Sequence, residues 1–136
     1  MLYMLDTNIC SYIIRNKPKY IKDKLKQVEK EHTIALSTIV VSELIYGAKK
    51  KDSEKLLNLI LSFVENFVII DFDRDGALHY AKIRAELESN GETIGSNDLF
   101  IAASAMANDA ILITNNTREF ERIRGLRCDN WIEEQQ

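Results

Sequence analysis

Short apolar runs separated by helical patterns constrain this chain more than any other feature of its sequence. Leu2–Leu5, Thr33–Ser37, and residues 67–70 and 110–113 are each too short for a helix and rich in Leu, Ile and Val. Runs of that length between helical stretches suit strands buried on both faces. Strands that alternate with helices predict one mostly parallel sheet covered on both sides. A last edge strand is predicted at residues 126–128, giving an α/β fold with about four to five strands.

The intervening stretches have helical periodicity. Thr7–Arg15 places Ile9, Tyr12 and Ile13 on one side and is closed by Asn16 and Pro18. Tyr20–Glu29 puts lysines on one face and Tyr20, Ile21, Leu25 and Val28 on the other. A further helix begins around Thr38 to Ser42 and carries Glu43 among Ile39, Val40, Val41, Leu44 and Ile45, so it reads as largely buried. Residues 53–63 and 73–90 are two more amphipathic helices, the second stopped by Asn90 and Gly91. Ser96 or Asn97 is the expected cap of a helix whose apolar and small residues, Leu99 to Ala107, run nearly all round it. A short helix is expected over residues 117–122. The chain has no repeats or linkers and reads as one domain over residues 1–136.

Charge narrows the function classes. The net charge of −3 argues against a protein that coats nucleic acid by bulk electrostatics. Its distribution is uneven: residues 1–55 hold eleven Lys/Arg against seven Asp/Glu, and residues 56–136 hold seven against fourteen. Such a chain presents a basic flank beside an acidic site, or simply a solvated helix face of Lys17, Lys19, Lys22, Lys24, Lys26 and Lys30; Lys49, Lys50 and Lys51 form a second basic segment. Cys10 and Cys128 are too few and too distant for a disulfide framework or a zinc site, and read as reduced thiols of a cytoplasmic protein. No signal segment and no membrane-length apolar run is present. His32, alone in a turn, is expected at the surface.

The acids that follow strands or open helices carry the chemistry. In a parallel sheet the carboxyl ends of the strands share one edge, where ligands bind, so Asp6, Ser37, Thr114 and Asn116 lie along it with the helix start at Asp98. Asp6 reads either as a cation ligand or as the cap of the helix after it, and Asp98 either as a ligand or as an acid favoured by the helix dipole. Glu43 in a buried helix needs a partner or an ion. Three converging carboxylates suit a hard cation such as magnesium or manganese. Asp71, Asp73 and Asp75 lack the Gly and Glu of a calcium loop, so Asp73 reads as a helix cap. No Ser/His or Cys/His set and no phosphate-binding glycine loop competes.

Asp6-Thr7-Asn8, Ser42-Glu43-Leu44 with Gly47, Ile94-Gly95-Ser96-Asn97-Asp98 leading into Ile101-Ala102-Ala103, and Thr114-Asn115-Asn116 before Arg118-Glu119-Phe120 resemble the PIN-domain ribonuclease toxins of the VapC family. The resemblance runs from Tyr3 to Trp131. It implies a three-layer α/β/α sandwich and a Mg²⁺- or Mn²⁺-dependent endoribonuclease that leaves 5′-phosphate and 3′-hydroxyl ends on RNA such as tRNA. It also implies a homodimer and a cognate VapB antitoxin whose tail occupies the active-site groove. Asp6, Glu43 and Asp98 match the acidic metal-site residues of the family, and its fourth acidic position falls at Asn116, an amide with a neutral oxygen. Thr7, Asn8 and Thr114 are then supporting polar groups, Arg118 a phosphate contact, and the apolar face of residues 56–63 the expected dimer surface. Two other classes stay open: a catalytically silent module of the same fold that binds RNA or antitoxin, and a receiver-type phosphoacceptor. The latter lacks paired acids after the first strand and a Lys near residues 126–131.

Overall fold

The computed structural model describes residues 1–132. Five strands, β1 (Leu2–Leu5), β2 (Thr33–Ser37), β3 (Val68–Ile70), β4 (Ile111–Ile113) and β5 (Cys128–Asp129), form one sheet in the order β3-β2-β1-β4-β5. Every pairing is parallel. The helices are α1 (Thr7–Arg15), α2 (Tyr20–Glu29), α3 (Thr38–Lys50), α4 (Glu54–Val64), α5 (Arg74–Ser89), α6 (Ser96–Ala107) and α7 (Thr117–Phe120). The layers are helix, sheet, helix.

Strand order fixes where a site can form. From β1 the chain steps outward through β2 to β3, then returns to the opposite side of β1 for β4 and β5. Right-handed crossovers place the two sets of connecting helices on opposite faces, and the reversal opens a crevice beside the carboxyl ends of β1 and β4. Registers Leu5↔Ile113 and Met4↔Leu112 bring those ends level. The Asp6 amide then donates to the Ile113 carbonyl at 2.8 Å, so Asp6 and Thr114 leave the sheet side by side.

The core follows from burial of the central strands. Met4, Leu5, Ala35, Leu36, Leu112 and Ile113 are buried, while Val68 and Ile69 on the edge strand β3 are exposed. As predicted, α6 is buried nearly all round, with Leu99 and residues 101–105 inaccessible. It packs along α5, where Tyr80 stacks on Phe100 at 4.3 Å and Phe72 meets the same ring edge-on at 5.2 Å.

Caps explain most helix starts. Ser37 accepts the Val40 amide at 3.1 Å and Asp73 accepts the Gly76 amide at 3.1 Å. Ser37 is buried, so water does not replace its hydroxyl. Ser37→Ala should therefore destabilise the fold by about 1 kcal/mol, read as a lower urea midpoint at unchanged slope. Asn16, at φ 55°, closes α1 in the left-handed conformation, as Gly91 at φ 69° does just beyond α5.

Several expectations shift. The cap of α6 is Gly95, with no side-chain bond, instead of Ser96 or Asn97. The last strand is Cys128–Asp129, not residues 126–128, because β5 pairs only with Leu112 and Ile113. The last helix ends at Phe120, after a single turn. α3 is less buried than expected: only Val40, Leu44 and Ala48 are inaccessible, and Glu43 lies at the boundary of the buried face. His32 is not a free surface residue, since its ring meets Tyr3 edge-on at 5.2 Å and its Nδ1 is buried without a hydrogen-bond partner.

Candidate active site

The crevice beside β1 and β4 is built around Asp6. Its carboxylate is only 5% exposed and is held from two sides: Oδ1 accepts the Thr7 amide at 2.7 Å and Oδ2 accepts the Thr114 hydroxyl at 2.7 Å. Asp6 caps α1 as well, so the structural role and the chemical role coexist on one side chain. Thr114 is fully buried and also accepts the Asn116 amide at 3.0 Å, which ties the loop after β4 to the end of β1.

Glu43 reaches the same crevice from α3. The Thr7 hydroxyl donates to its Oε1 at 3.2 Å, so the residue after Asp6 orients the second acid. Asp98 enters from the first turn of α6.

A fourth acid, Glu119 on α7, belongs to the Arg118-Glu119-Phe120 motif but is not among the expected site residues. Its carboxylate accepts the Asn116 side-chain amide and the Gly95 backbone amide, the latter at 3.3 Å, and shares a hydrogen bond with Asp98. Asn116 thus does not present its amide as an isolated stand-in for an acid; it tethers one. The sequence signals for Glu119 are its place one helical turn after Asn116 and its presence in the Arg118-Glu119-Phe120 motif; by charge alone, the run of Arg118, Glu119, Glu121 and Arg122 looks like ordinary surface.

The electrostatics show how crowded the acids are. Burial, then the charge of Asp6, the charge and hydrogen bond of Glu119, and the charge of Glu43 push the Asp98 carboxyl up to about 7. Burial raises Asp6, against the lowering effect of its bonds to Thr114 and Thr7. Burial also raises Glu43, opposed by the Thr7 hydroxyl and assisted by the charge of Asp6. Each of these neighbours disfavours the charged form of Asp98, the mark of a site whose negative charge is unbalanced. Among the described residues no three His, Cys, Asp or Glu side chains are grouped as the donors of one ion. The donor chemistry nevertheless fits a hard cation: four carboxylates, with Thr and Asn oxygens beside them.

Two grooves share Glu43 in their lining. One, of about 310 Å³, is lined by Thr7, Asn8, Glu43, Arg15 and Lys51 over an apolar floor that includes Leu56 and Ile60. The other, of about 400 Å³, runs past Glu43, Tyr46, Phe72, Asn97 and Phe100. Of the basic segments, Lys51 lines the first of these grooves together with Glu43, whereas Lys22 and Lys26 line a separate cavity with Glu29 and Phe63. Arg118 is exposed on α7, beside Glu119. On α4 only Ile60 is buried, and Leu59 and Leu61 are 49% and 44% exposed.

Known proteins resemble the chain over nearly its whole length. The PIN domain family model matches residues 3–126. The chain is 45% identical to the ribonuclease VapC2 of Rickettsia felis, over 96% of this chain and 98% of the relative. It is 41% identical to the tRNA(fMet)-specific endonuclease VapC of Shigella flexneri, over 95% of this chain and 97% of the relative. Among solved structures, VapBC2 from Rickettsia felis bound to a DNA fragment from its promoter superposes with a TM-score of 0.92 at 44% identity, covering 97% of this chain and 100% of that one. DNA-bound VapBC from Salmonella typhimurium gives 0.89 at 39% identity, over 97% and 100% of the two chains. On the match to the domain and the near full-length identity to these relatives, the chain belongs to the VapC family of PIN-domain ribonucleases.

Proposed function

We propose that this protein is a metal-dependent endoribonuclease that hydrolyses phosphodiester bonds in RNA, a tRNA by analogy with its Shigella flexneri relative, and acts as the toxin partner of a VapB-type antitoxin. The observation that carries this reading is the electrostatic crowding at the crevice, where burial and three neighbouring acids hold Asp98 at about 7. A site so unfavourable to its own charges is suited to a divalent cation and a phosphate, Mg²⁺ or Mn²⁺ being the ions that match an all-oxygen donor set.

In this reading Asp6, Asp98 and Glu119 hold the ion, and Glu43 holds it or orients the attacking water. When bound, the ion supplies positive charge to the phosphate oxygens and makes a water nucleophilic near neutral pH. The chain's own groups do the positioning. Thr114 fixes the Asp6 carboxylate, Thr7 aims Glu43, and Asn116 keeps Glu119 turned toward Asp98. The water oxygen attacks phosphorus, the bond to the 3′ oxygen breaks, and that oxygen gains a proton, leaving a 5′-phosphate and a 3′-hydroxyl. Arg118 and the groove residues Arg15 and Lys51 offer charge to flanking phosphates, and Asn8 a polar contact. The exposed face of α4 serves a homodimer, and no described helix is long and apolar enough to cross a membrane.

Purified protein free of antitoxin should cleave tRNA in the presence of Mg²⁺ or Mn²⁺ and stop in excess EDTA, read by denaturing gel electrophoresis. Cleavage that continues in EDTA, or no cleavage with either ion, would overturn the proposal.

A further inference from the structure

Beside the acids lies a strip of polar side chains that their chemistry does not use. The Asn115 amide donates to the Tyr12 hydroxyl at 3.2 Å, and the Asn115 carbonyl accepts the Asn130 amide at 3.2 Å. The Asn130 carbonyl in turn accepts the Ile132 backbone amide at 2.9 Å. A backbone amide only donates, so the orientation of Asn130, and through it that of Asn115, is fixed from one end of the strip to the other. At the other end the Arg15 guanidinium lies 5.4 Å from the centre of the Tyr12 ring, with its Nε donating to the Ser11 carbonyl at 3.3 Å.

This network leaves defined capacity unspent. A carboxamide has two N–H donors and two acceptor lone pairs; Asn115 uses one of each, and its side chain is exposed. What remains is one donor and one acceptor, the groups with which a carboxamide reads a nucleobase. An exposed Asn with no task is hydrated and mobile, whereas this one is braced by two other side chains. Its position is equally specific. Asn115 follows by one residue, about 3.8 Å along the backbone, the Thr114 whose hydroxyl holds Asp6. It also precedes the Asn116 that holds Glu119. Among the described residues no carboxylate forms an ion pair with Arg15, so its charge is available to a phosphate.

We propose that Asn115, braced by Tyr12 and Asn130, contacts the base of the nucleotide beside the scissile phosphate, with Arg15 on the backbone of the same strand. The proposal rests on the endoribonuclease reading above and assigns that site a base-reading element. The strip takes an unpaired nucleotide, because the base edge must be free of its complement to meet the carboxamide.

The test uses labelled single-stranded RNA in a series with one abasic position moved along the strand. Binding is read by fluorescence anisotropy in EDTA, and kcat/KM by cleavage in Mg²⁺. Replacing Asn115→Ala should weaken intact RNA about tenfold, the size of one bidentate base contact. Removing the base at one position should weaken wild type by a similar factor, and the two changes together should cost no more than either alone. Tyr12→Phe, which keeps the ring and removes only the brace, should give a smaller loss at that same position. Circular dichroism melts establish that both variants fold. Losses that multiply at every abasic position, or a loss equal at all of them, would overturn the proposal. Wild type that binds with the coupled pattern yet never cleaves would remove the nuclease reading and keep the strip. Cleavage with no coupled position would do the reverse.

Discussion

Asp98→Asn should lower RNA cleavage by on the order of a hundredfold or more, as loss of a charged group that holds the ion and its substrate does, while making the metal-free protein more stable at pH 8. The two effects have one cause. The carboxyl is held at about 7 instead of its ordinary 3.8 by burial first and by Asp6, Glu119 and Glu43 after it. Below about 4 both folded and unfolded chains carry the proton, so there is no penalty. Between about 4 and about 7 the folded protein keeps a proton that the unfolded chain releases, and stability falls as pH rises through that window. The full shift corresponds to roughly 4 kcal/mol at 1.36 kcal/mol per unit, but Asp98 is half exposed, and solvent screening reduces this to about 1–2 kcal/mol. The uncharged amide escapes the penalty and donates to Glu119 where the carboxyl proton had been. Differential scanning calorimetry in EDTA should show a melting temperature about 5 °C higher for the variant at pH 8 and little difference at pH 4. An unchanged or lowered melting temperature at pH 8 would show that the acids are not in conflict.

The second large effect is the response of the wild-type protein to a divalent cation. Mn²⁺ should raise the melting temperature at pH 7, and at about a hundred times its dissociation constant the gain is about 2.7 kcal/mol. Binding should also release about half a proton at pH 7, rising toward one near pH 6, because the ion displaces the proton that Asp98 holds there. Calorimetric titration in two buffers of different ionisation heat measures that number directly. Release should fade toward pH 8.5, where Asp98 is already ionised. Glu119→Gln should weaken binding about tenfold. Heats independent of the buffer at pH 7 would mean that the ion does not replace that proton, and an unshifted melting temperature would mean that the site does not take the ion.

These tests lean on residues of unequal visibility in the sequence. Asp6 was legible because it ends an unbroken apolar strand, Glu43 because an acid among Ile39, Val40, Leu44 and Ile45 needs a reason, and Asp98 because it opens an apolar helix. Periodicity located them by their departure from it. Glu119 had no such background: α7 is four residues long, and its neighbours are charged, so only the fold, which returns the chain past β4, brings it against Asp98. The loop residue Asn116 is legible by its place beside the acids, but that its side-chain amide donates to Glu119 is not. The length of β5 was equally hidden, since two residues that pair with Leu112 and Ile113 carry no pattern of their own. His32 shows the opposite error, an isolated polar residue read as exposed that is packed under Tyr3.

The pairing of β1 with β4 also makes the site a late product of synthesis. Asp6 precedes by 108 residues the Thr114 whose hydroxyl holds it, and Glu119 comes later still. A growing chain therefore carries Asp6 with no site around it until the segment through Glu119 has left the ribosome. No translation product that stops short of that segment can close the crevice.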